Sequence, residues 1–294
     1  MRIGLIGAGA VGQSVGALLV ASGWCSELFV ASGTQASARG LVTDLEDMIQ
    51  ITGSHMRVTV TASAAMGACD AIVLSPRSPF TNRARRDVRM AGLTANAPLI
   101  VHLARQLASY AGVAVMVTNP VDVLARLFAE QSDCQRVIGI GAATDTARYH
   151  LTLARHLGVP VRAVRGHVIG EHGDAAVICA STTTVHGEPV TVPVQQVRAE
   201  LAARPRRISD AIGRTRLGPA GAVLDALTHS LGLADGMTEV SVRQETGVWL
   251  GMPVNYTDGT PALCPPSLDE SESAQLAAAT DKLDTAYTRL TKEI

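Results

Sequence analysis

Short apolar runs alternate with helical patterns through the first half of this chain. Aliphatic and β-branched residues form runs of strand length at positions 2–6, 27–31, 57–61, 71–75, 113–118 and 137–140. Helical spacing of apolar residues fills positions 96–110 and 120–130, between the later runs. Continuous apolar strands separated by helices are typical of a parallel sheet that is covered on both faces. The pattern therefore predicts an α/β fold with a doubly wound parallel sheet.

The pattern changes after Gly141. Helical spacing at positions 144–157, 208–231 and 267–290 is mixed with strand-like runs at 161–168, 177–184, 190–194, 237–243 and 247–251. A Gly218-Pro219 pair interrupts the second of these helical regions, and the last region has one apolar face. We expect two closely packed domains, with the doubly wound sheet in residues 1–142 and an α+β arrangement in residues 143–294.

A glycine-rich turn stands between the first strand and the first helix. Its sequence, Gly7-x-Gly9-x-x-Gly12, lies in a strand–turn–helix–strand arrangement of about 30 residues, which is typical of a dinucleotide-binding Rossmann unit. Bare backbone can approach a pyrophosphate there, and the helix N-terminus stabilises its charge. The candidate cofactor contacts are Gly7, Gly9, Ala10, Val11 and Gly12. The alternative is a glycine turn in a unit that binds no nucleotide.

Composition and charge exclude several classes of protein. Hydrophobic residues make up 47% of the 294 residues and charged residues 17%, which excludes a disordered chain. The net charge of −1 gives no electrostatic reason to bind nucleic acid or an anionic membrane. Glycines interrupt the charge-free stretch at positions 3–26, and no later apolar run is long enough to cross a bilayer. We therefore expect neither a signal peptide nor a membrane span.

The cysteines and histidines give no sign of a metal site. The five cysteines are widely spaced and include no Cys-x-x-Cys pair, so we expect neither a disulfide framework nor a zinc site. His167 and His172 are five residues apart, which does not match a standard helical metal pair. The cysteine pattern favours a reducing, cytoplasmic location.

Two short segments carry candidate acid–base chemistry. Asp145 and Arg148 are three residues apart in a predicted helix and therefore lie on the same helix face. The simplest interpretation is a surface ion pair, which is common and contributes little to stability. The functional alternative is that Asp145 orients a histidine while Arg148 binds a substrate carboxylate. His172 is the candidate histidine because Gly170 and Gly173 permit a tight turn that exposes its ring.

Four motifs, in their order along the chain, resemble those of the lactate/malate dehydrogenase family. They are Gly7-x-Gly9-x-x-Gly12, Thr118-Asn119-Pro120-Val121-Asp122, Asp145-x-x-Arg148 and Gly170-Glu171-His172-Gly173-Asp174. Residues 250–254 also resemble a late strand of the family, so the resemblance extends over essentially the whole chain. It implies an enzyme that transfers hydride between NAD(P)H and a small 2-oxo or 2-hydroxy acid. It also implies a homo-oligomer, either a dimer or a tetramer.

The resemblance further implies roles for individual residues. His172 matches the family's proton donor and acceptor, Asp145 matches its partner, and Arg148 matches the arginine that binds the substrate carboxylate. Asn119 matches an asparagine that lies near both the nicotinamide and the substrate. Asn96 resembles a family asparagine on the helix after the substrate loop, and we include it among the candidate cofactor contacts.

The end of the second strand departs from the family pattern. Family members that use NAD carry an acid there, whereas this chain has Ser32, followed by Gly33 and Thr34. Without the carboxylate a 2′-phosphate meets no repulsion, and these three residues can donate hydrogen bonds to it. Arg39 is a further candidate for this role, although it lies slightly far along the chain. The expected cofactor is therefore NAD(P)H, with NADP(H) favoured by a small margin.

The substrate loop at positions 76–89 is the second departure, and it permits two alignments. Counting back from Asn96 gives Arg89 as the arginine that polarises the substrate carbonyl and Arg83 as the residue that selects the substrate. Counting forward from the preceding strand gives Arg86 and Phe80 instead, which favours an uncharged substrate. We prefer the first alignment because insertions are tolerated well in loops.

An arginine at position 83 suits a second carboxylate, so a malate-like dicarboxylate is the first expectation for the substrate. Because the loop is atypical, an unusual 2-oxo acid of a specialised pathway is the alternative. A non-catalytic nucleotide-binding relative is disfavoured because His172, Asp145 and Arg148 are all present. A reductase of imines or of carbonyls without a neighbouring carboxylate is disfavoured because a desolvated Arg148 would then face no anion.

Overall fold

The first half of the molecule is a parallel sheet with helices on both faces. The computed structural model describes residues 1–81 and 87–293. The strands of this half are β1 (Arg2–Ile6), β2 (Glu27–Ala31), β3 (Arg57–Val60), β4 (Ala71–Leu74), β5 (Val113–Met116) and β6 (Val137–Gly139). They lie in the order β3-β2-β1-β4-β5-β6, and all neighbouring pairs are parallel. The predicted doubly wound sheet is confirmed, and its order reverses between β1 and β4, where such sheets leave a crevice for a ligand.

Short connections join β1, β2 and β5 to the helices that follow them, whereas residues 75–92 separate β4 from the next α-helix. The helices are α1 (Ala10–Ser22), α2 (Gln35–Thr52), α3 (Leu93–Gln106) and α4 (Val121–Ser132). Helix α1 begins directly after Gly9 and ends at Gly23, which has a φ of 75°. Helix α2 begins after Thr34, whose hydroxyl accepts a hydrogen bond from the Ser37 amide at 3.1 Å. The start of each helix therefore lies at the carboxyl end of a strand, on the crevice side of the sheet.

The second half extends the same sheet with antiparallel strands. Its elements are α5 (Ala142–Leu157), β7 (Val164–Arg165), β8 (Val168–Gly170), β9 (Ala176–Ile178), β10 (Thr184–Val185), β11 (Glu188–Pro189), α6 (Val194–Ile212), α7 (Leu217–Ser230), β12 (Gly236–Arg243), β13 (Trp249–Thr257), β14 (Thr260–Leu263) and α8 (Glu270–Thr291). The sheet continues from β6 as β12-β13-β8-β9, with β14 beside β13, and β7, β10 and β11 form a small separate sheet. The predicted α+β character of this half is confirmed.

Two predictions for the region between β11 and α7 are wrong. The run at 190–194 forms no strand, and helix α6 begins at Val194 rather than at residue 208. Only Val197 of α6 is buried, so the apolar stripe that reveals a helix is weak there. The break before α7 lies at residues 213–216. Pro219 lies in the first turn of α7, where a missing N–H costs nothing.

The core consists of one apolar cluster on each face of the sheet and a smaller one beneath the second half. The first cluster packs α3, α4 and α8 on one face, and the second packs α1, α2 and α7 on the other. The third joins Tyr149 and Leu153 of α5 to Val168 of β8 and Ile178 of β9. This third cluster fixes α5 against β8, and both elements lead into the candidate site. Across residues 1–81 and 87–293, the structure has no helix that is long and apolar enough to span a membrane.

Candidate active site

His172 and Asp145 meet although 27 residues separate them. Asp145 lies in the first turn of α5, and His172 lies in the turn that follows β8. The imidazole Nδ1 is 2.6 Å from Asp145 Oδ2. Thr146 aligns the two elements, because its hydroxyl accepts a hydrogen bond from the Val168 amide at 3.0 Å. The histidine and its carboxylate are therefore held by secondary structure rather than by a free loop.

The backbone around His172 is closely fitted. Its amide donates a hydrogen bond to Asp122 Oδ2 at 2.9 Å, which ties the turn to the first turn of α4. A Cβ atom at Gly141 would lie 2.6 Å from the Cβ of His172, so glycine is needed there to leave room for the ring. Within the described part of the chain, His172 Nε2 has no hydrogen-bond partner. The ring is thus anchored at Nδ1 and available at Nε2.

Two arginines share the carboxylate of Asp145. Arg148 Nη1 lies 3.2 Å and Arg89 Nη2 3.6 Å from Asp145 Oδ1. Arg148 is only 6% exposed, and Asp145 is equally buried. Two guanidinium groups around one carboxylate leave an excess of positive charge in a desolvated place, which favours an anionic ligand.

The charges around this group shift its pKa values in opposite directions. Burial alone would raise the pKa of Asp145, but His172 and Arg89 outweigh it and lower the pKa to about 2. Burial lowers the pKa of His172, and the positive charge of Arg89 lowers it further against the opposing effect of Asp145. Asp145 is thus ionised at neutral pH, and the surroundings of His172 favour the neutral imidazole.

The glycine turn has the shape that a dinucleotide requires. Gly7 has a φ of 116°, and a Cβ atom there would lie 2.7 Å from the backbone of Ser75. A Cβ at Gly12 would overlap the carbonyl oxygen of Gly7, whereas Gly9 faces open space. Gly9 is also the N-cap of α1, and no side chain caps that helix. The turn therefore presents open backbone and uncapped N–H groups at a helix N-terminus, which fit a pyrophosphate.

Asn96 and Asn119 contact each other near the start of the substrate loop. Asn96 is buried, its Oδ1 accepts from the Ser78 amide at 2.9 Å, and its Nδ2 donates to the Asn119 carbonyl at 2.9 Å. Asn96 thus connects the start of the substrate loop to Asn119. The Asn119 Oδ1 is buried without a partner among the described residues. A buried acceptor of this kind fits a bound group that donates a hydrogen bond.

Hydroxyl groups occupy the end of β2, where the sequence lacks an acid. The Ser32 hydroxyl accepts from the Ala8 amide at 3.3 Å and from the Ser37 hydroxyl at 2.9 Å. Gly33 has open space around it, and Thr34 caps α2. Arg39 donates to Gln35 at 3.2 Å, so it lies along α2 rather than over Ser32.

The structure describes only part of the substrate loop. Arg83, the predicted selecting residue, and Arg86, the carbonyl arginine of the other alignment, lie outside the described residues. The Arg89 guanidinium lies 3.6 Å from the Asp145 carboxylate. Phe80 packs against Gly92, and the Arg77 guanidinium lies 4.5 Å above its ring. Phe80 therefore contacts the start of α3.

Three functional candidates were not predicted from the sequence. Asp122 was quoted within a motif without a role, although its contact with the His172 amide is direct. Buried Glu171 forms an ion pair next to His172 with Lys282, which is partly exposed. One available signal was composition, because Lys282 and Lys292 are the only lysines in a chain rich in arginine. Among the described residues no group of side chains has the composition of a metal site.

Comparisons with known proteins agree with this architecture. Residues 1–139 match the family model described as the NAD binding domain of lactate/malate dehydrogenase, and residues 143–293 match the model of the family's alpha/beta C-terminal domain. An L-lactate dehydrogenase from Deinococcus radiodurans is 30% identical, over 86% of this chain and 87% of the relative. A malate dehydrogenase from Sulfolobus acidocaldarius is 28% identical, over 100% of this chain and 98% of the relative.

Solved structures show the same fold. The malate dehydrogenase of Plasmodium falciparum superimposes with a TM-score of 0.91 at 18% identity, covering 99% of both chains. A lactate dehydrogenase of Cryptosporidium parvum, solved with lactic acid and nicotinamide adenine dinucleotide, gives a TM-score of 0.88 at 21% identity, covering 99% of this chain and 98% of the other. Since the two family models together cover nearly every residue, this chain belongs to the lactate/malate dehydrogenase family.

Proposed function

We propose that this protein is an NAD(P)-dependent dehydrogenase that interconverts a small 2-oxo acid and the corresponding 2-hydroxy acid, with a malate-like dicarboxylate as its first substrate. The observation that carries the proposal is the cluster of His172, Asp145 and Arg148. It combines a proton donor with an available ring nitrogen, a carboxylate that orients the ring, and a buried cation. Family membership supports the reaction class.

The residues divide the reaction between them. A nicotinamide nucleotide held at the glycine turn would supply the hydride for the 2-oxo carbon. Arg148 binds the substrate carboxylate through its planar guanidinium, and Arg89 polarises the carbonyl. His172 Nε2 gives its proton to the carbonyl oxygen, while Asp145 holds the ring and stabilises its charged form. In the oxidation direction the neutral imidazole accepts the same proton from the hydroxyl group.

Substrate binding prepares His172 for this step. Burial and the charge of Arg89 favour the neutral imidazole. The substrate carboxylate adds a negative charge next to Arg148, which offsets the repulsion between the cations and the imidazolium. The pKa of His172 therefore rises when a 2-oxo acid binds.

The glycine turn formed by Gly7, Gly9, Ala10, Val11 and Gly12 would hold the pyrophosphate of the cofactor. Asn119 and the nearby Asn96 support the nicotinamide end. At the adenosine end, Ser32, Gly33 and Thr34 leave a polar, acid-free site, which supports a small preference for NADP(H). The matching family model is described as NAD binding, so NADH is the competing cofactor.

The preference for a dicarboxylate depends on the substrate loop. The contact between Arg89 and Asp145 supports the alignment that is anchored on Asn96, and in that alignment Arg83 selects the substrate. An arginine there suits the second carboxylate of oxaloacetate. An unusual 2-oxo acid is the alternative substrate.

Three expectations from the sequence remain predictions. They are the division into residues 1–142 and 143–294, a homo-oligomeric state, and a cytoplasmic location. Because both halves share one sheet, separate folding of either half is unfavourable. The division therefore separates two functional parts rather than two independently folding units.

A panel of oxidation assays tests the proposal. Oxidation of NADH and of NADPH is followed with oxaloacetate, pyruvate and bulkier 2-oxo acids, and oxaloacetate with NADPH should give the highest kcat/KM. A large preference for NADH would reject the NADP(H) assignment alone. Arg83→Gln should lower kcat/KM for oxaloacetate more than for pyruvate, and an unchanged preference would assign selection to another residue. No turnover with any 2-oxo acid would reject the proposed function.

A further inference from the structure

Lys282 joins two segments that are far apart in the sequence. Its Nζ lies 2.9 Å from Asp87 Oδ1 and 2.7 and 2.8 Å from the two carboxylate oxygens of Glu171. Lys282 belongs to α8, Glu171 directly precedes His172, and Asp87 lies 195 residues away from Lys282 along the chain. One ammonium group therefore connects the C-terminal helix, the histidine turn and the end of the substrate loop.

The Glu171 carboxylate depends on this cation. Its side chain is only 2% exposed, and it also accepts a hydrogen bond from the Ala175 amide at 2.8 Å. A Cβ atom at Gly173 would lie 2.5 Å from the Glu171 carboxylate, so the turn is folded around that group. A buried carboxylate without a cation is costly, which means that the position of Lys282 helps to set the shape of the turn.

The same contact fixes the far end of the substrate loop. The Asp87 carboxylate accepts a hydrogen bond from the Lys282 ammonium, and the Asp87 amide donates one to Asp174 Oδ2 at 2.7 Å. Asp87 is thus bound on two sides to the neighbourhood of His172. Two residues later, Arg89 reaches Asp145. Residues 87–89 therefore place the Arg89 guanidinium in the site, and the contacts of Asp87 fix the start of this segment.

Other contacts of α8 fix the helix independently of the site. Arg126 of α4 lies 2.8 Å from Asp284 and stacks 3.8 Å above the ring of Tyr287. These contacts lie on the α4 side, away from the histidine turn. The position of α8 is therefore held without Lys282, and the lysine is free to act on the site.

We propose that Lys282 is a positioning residue, whose shared contact with Asp87 and Glu171 sets Arg89 and His172 at the separation that proton and hydride transfer require. This inference rests on the proposed function. Lys282 does not touch the substrate in this account. It acts through the two segments that carry the reacting side chains.

Kinetics of Lys282→Met, Asp87→Asn and the control Asp284→Asn test the inference. Lys282→Met should lower kcat for the 2-oxo acid by roughly 10- to 100-fold, the range that follows from an ångström-scale displacement of reacting groups. The KM for the nucleotide should stay within about twofold of the native value, because the glycine turn is untouched. Lys282→Arg should recover part of the loss. Asp284→Asn removes an ion pair of the same helix and should leave kcat unchanged.

Asp87→Asn keeps Glu171 paired with Lys282, so it remains informative if Lys282→Met does not fold. It should lower kcat in the same way but by less. A kcat within about twofold of the native enzyme in Asp87→Asn or in folded Lys282→Met would overturn the inference. An equal loss in Asp284→Asn would also overturn it, because the effect would then be one of general stability.

A spectroscopic experiment separates this inference from the proposed function. Labelling with 13Cε-lysine gives signals from two residues, and the one that Lys282→Met removes belongs to Lys282. Asp87→Asn should shift this signal, and so should oxamate, an unreactive 2-oxo acid analogue, added with the nucleotide. A Lys282 signal that shifts neither in Asp87→Asn nor on addition of oxamate would overturn the inference, whatever the turnover assays show. Shifts without any turnover would reject only the proposed reaction.

Discussion

At the scale of single residues, the chemistry depends on the balance of charge around His172. Asp145 favours the imidazolium, whereas burial and Arg89 disfavour it. The carboxylate of Asp145 remains ionised because its pKa lies at about 2. A bound carboxylate is therefore the group that changes the balance and allows His172 to carry a proton.

This balance predicts that an anionic inhibitor takes up a proton when it binds. The pKa of His172 is lowered in the free protein and rises when oxamate neutralises the arginines. The affinity should thus be highest below the free pKa and should fall as the pH rises through the bound pKa. Calorimetry of oxamate binding, with the reduced nucleotide present and in buffers of different ionisation enthalpy, measures this uptake. An affinity that is independent of pH, with no proton uptake, would contradict the charge balance described here.

The residues that the sequence predicted best are those whose identity alone restricts their chemistry. Gly7 and Gly12 are restricted by backbone geometry, and Asp145 and Arg148 by helical spacing. Asp122 was harder to assign because its role is a single contact with a backbone amide 50 residues away. Such contacts leave no periodic pattern in the sequence.

At the scale of elements, the site forms where α4, α5 and the turn after β8 converge. Asp122 in the first turn of α4 supports the turn, and Asp145 in the first turn of α5 supports the ring. Burial raises the pKa of Asp122 to about 7, since its hydrogen bond to the His172 amide offsets only part of the desolvation. The connection between α4 and the histidine turn therefore carries a titratable group near neutral pH.

Asp122 should make the stability of the protein depend on pH. Its folded pKa of about 7 lies above the ordinary value of 3.8, so its protonated form stabilises the fold at low pH. This contribution is lost as the pH rises from about 4 through 7, and it amounts to on the order of 4 kcal/mol. Asp122→Asn keeps an acceptor for the His172 amide but cannot ionise. The variant should have a higher free energy of unfolding than the native protein at pH 8, and the difference should be smaller at pH 4.

Urea unfolding of both proteins across this pH range measures the difference. The comparison cancels the contribution of Asp145, whose lowered pKa acts in both proteins at acidic pH. A stability difference that stays constant between pH 4 and pH 8 would show that Asp122 is ionised throughout.

Elements with a strong apolar pattern were predictable, and those without one were not. Strands β4 and β5 of the parallel sheet are fully buried and β1 is buried after Arg2, so their apolar runs appear directly in the sequence. Helix α6 buries little of its surface and was only partly recognised. Its beginning was hidden because Pro193, which precedes it, looked like the end of a strand rather than a helix N-cap.

At the scale of the whole molecule, one continuous sheet joins the nucleotide half to the substrate half. Strand β12 pairs with β6 on one side and β13 on the other, and β13 pairs with β8, which leads into His172. His172 is therefore attached to the same sheet as the glycine turn. This arrangement suits hydride transfer, which requires cofactor and acid to be held at a fixed separation.

Long-range contacts and substrate choice were the parts that the sequence left open. The contact between Lys282 and Asp87 depends on how α8 packs across the molecule, and no local pattern encodes it. Substrate choice depends on the loop at positions 76–89, where two alignments placed different residues in the same role. The fold and the acid–base group follow from motifs, whereas these features follow from tertiary packing.

The central claim is that His172 supplies the proton while hydride passes from the nucleotide to a 2-oxo carbon. Reduction of oxaloacetate with a nucleotide that carries deuterium at the transferring position of C4, followed by NMR of the product, tests it most directly. The native protein should place deuterium at C2 of the 2-hydroxy acid, and His172→Asn should place almost none there while still binding the nucleotide. Deuterium transfer by His172→Asn at the native rate, or no transfer by the native protein to any 2-oxo acid, would contradict the account.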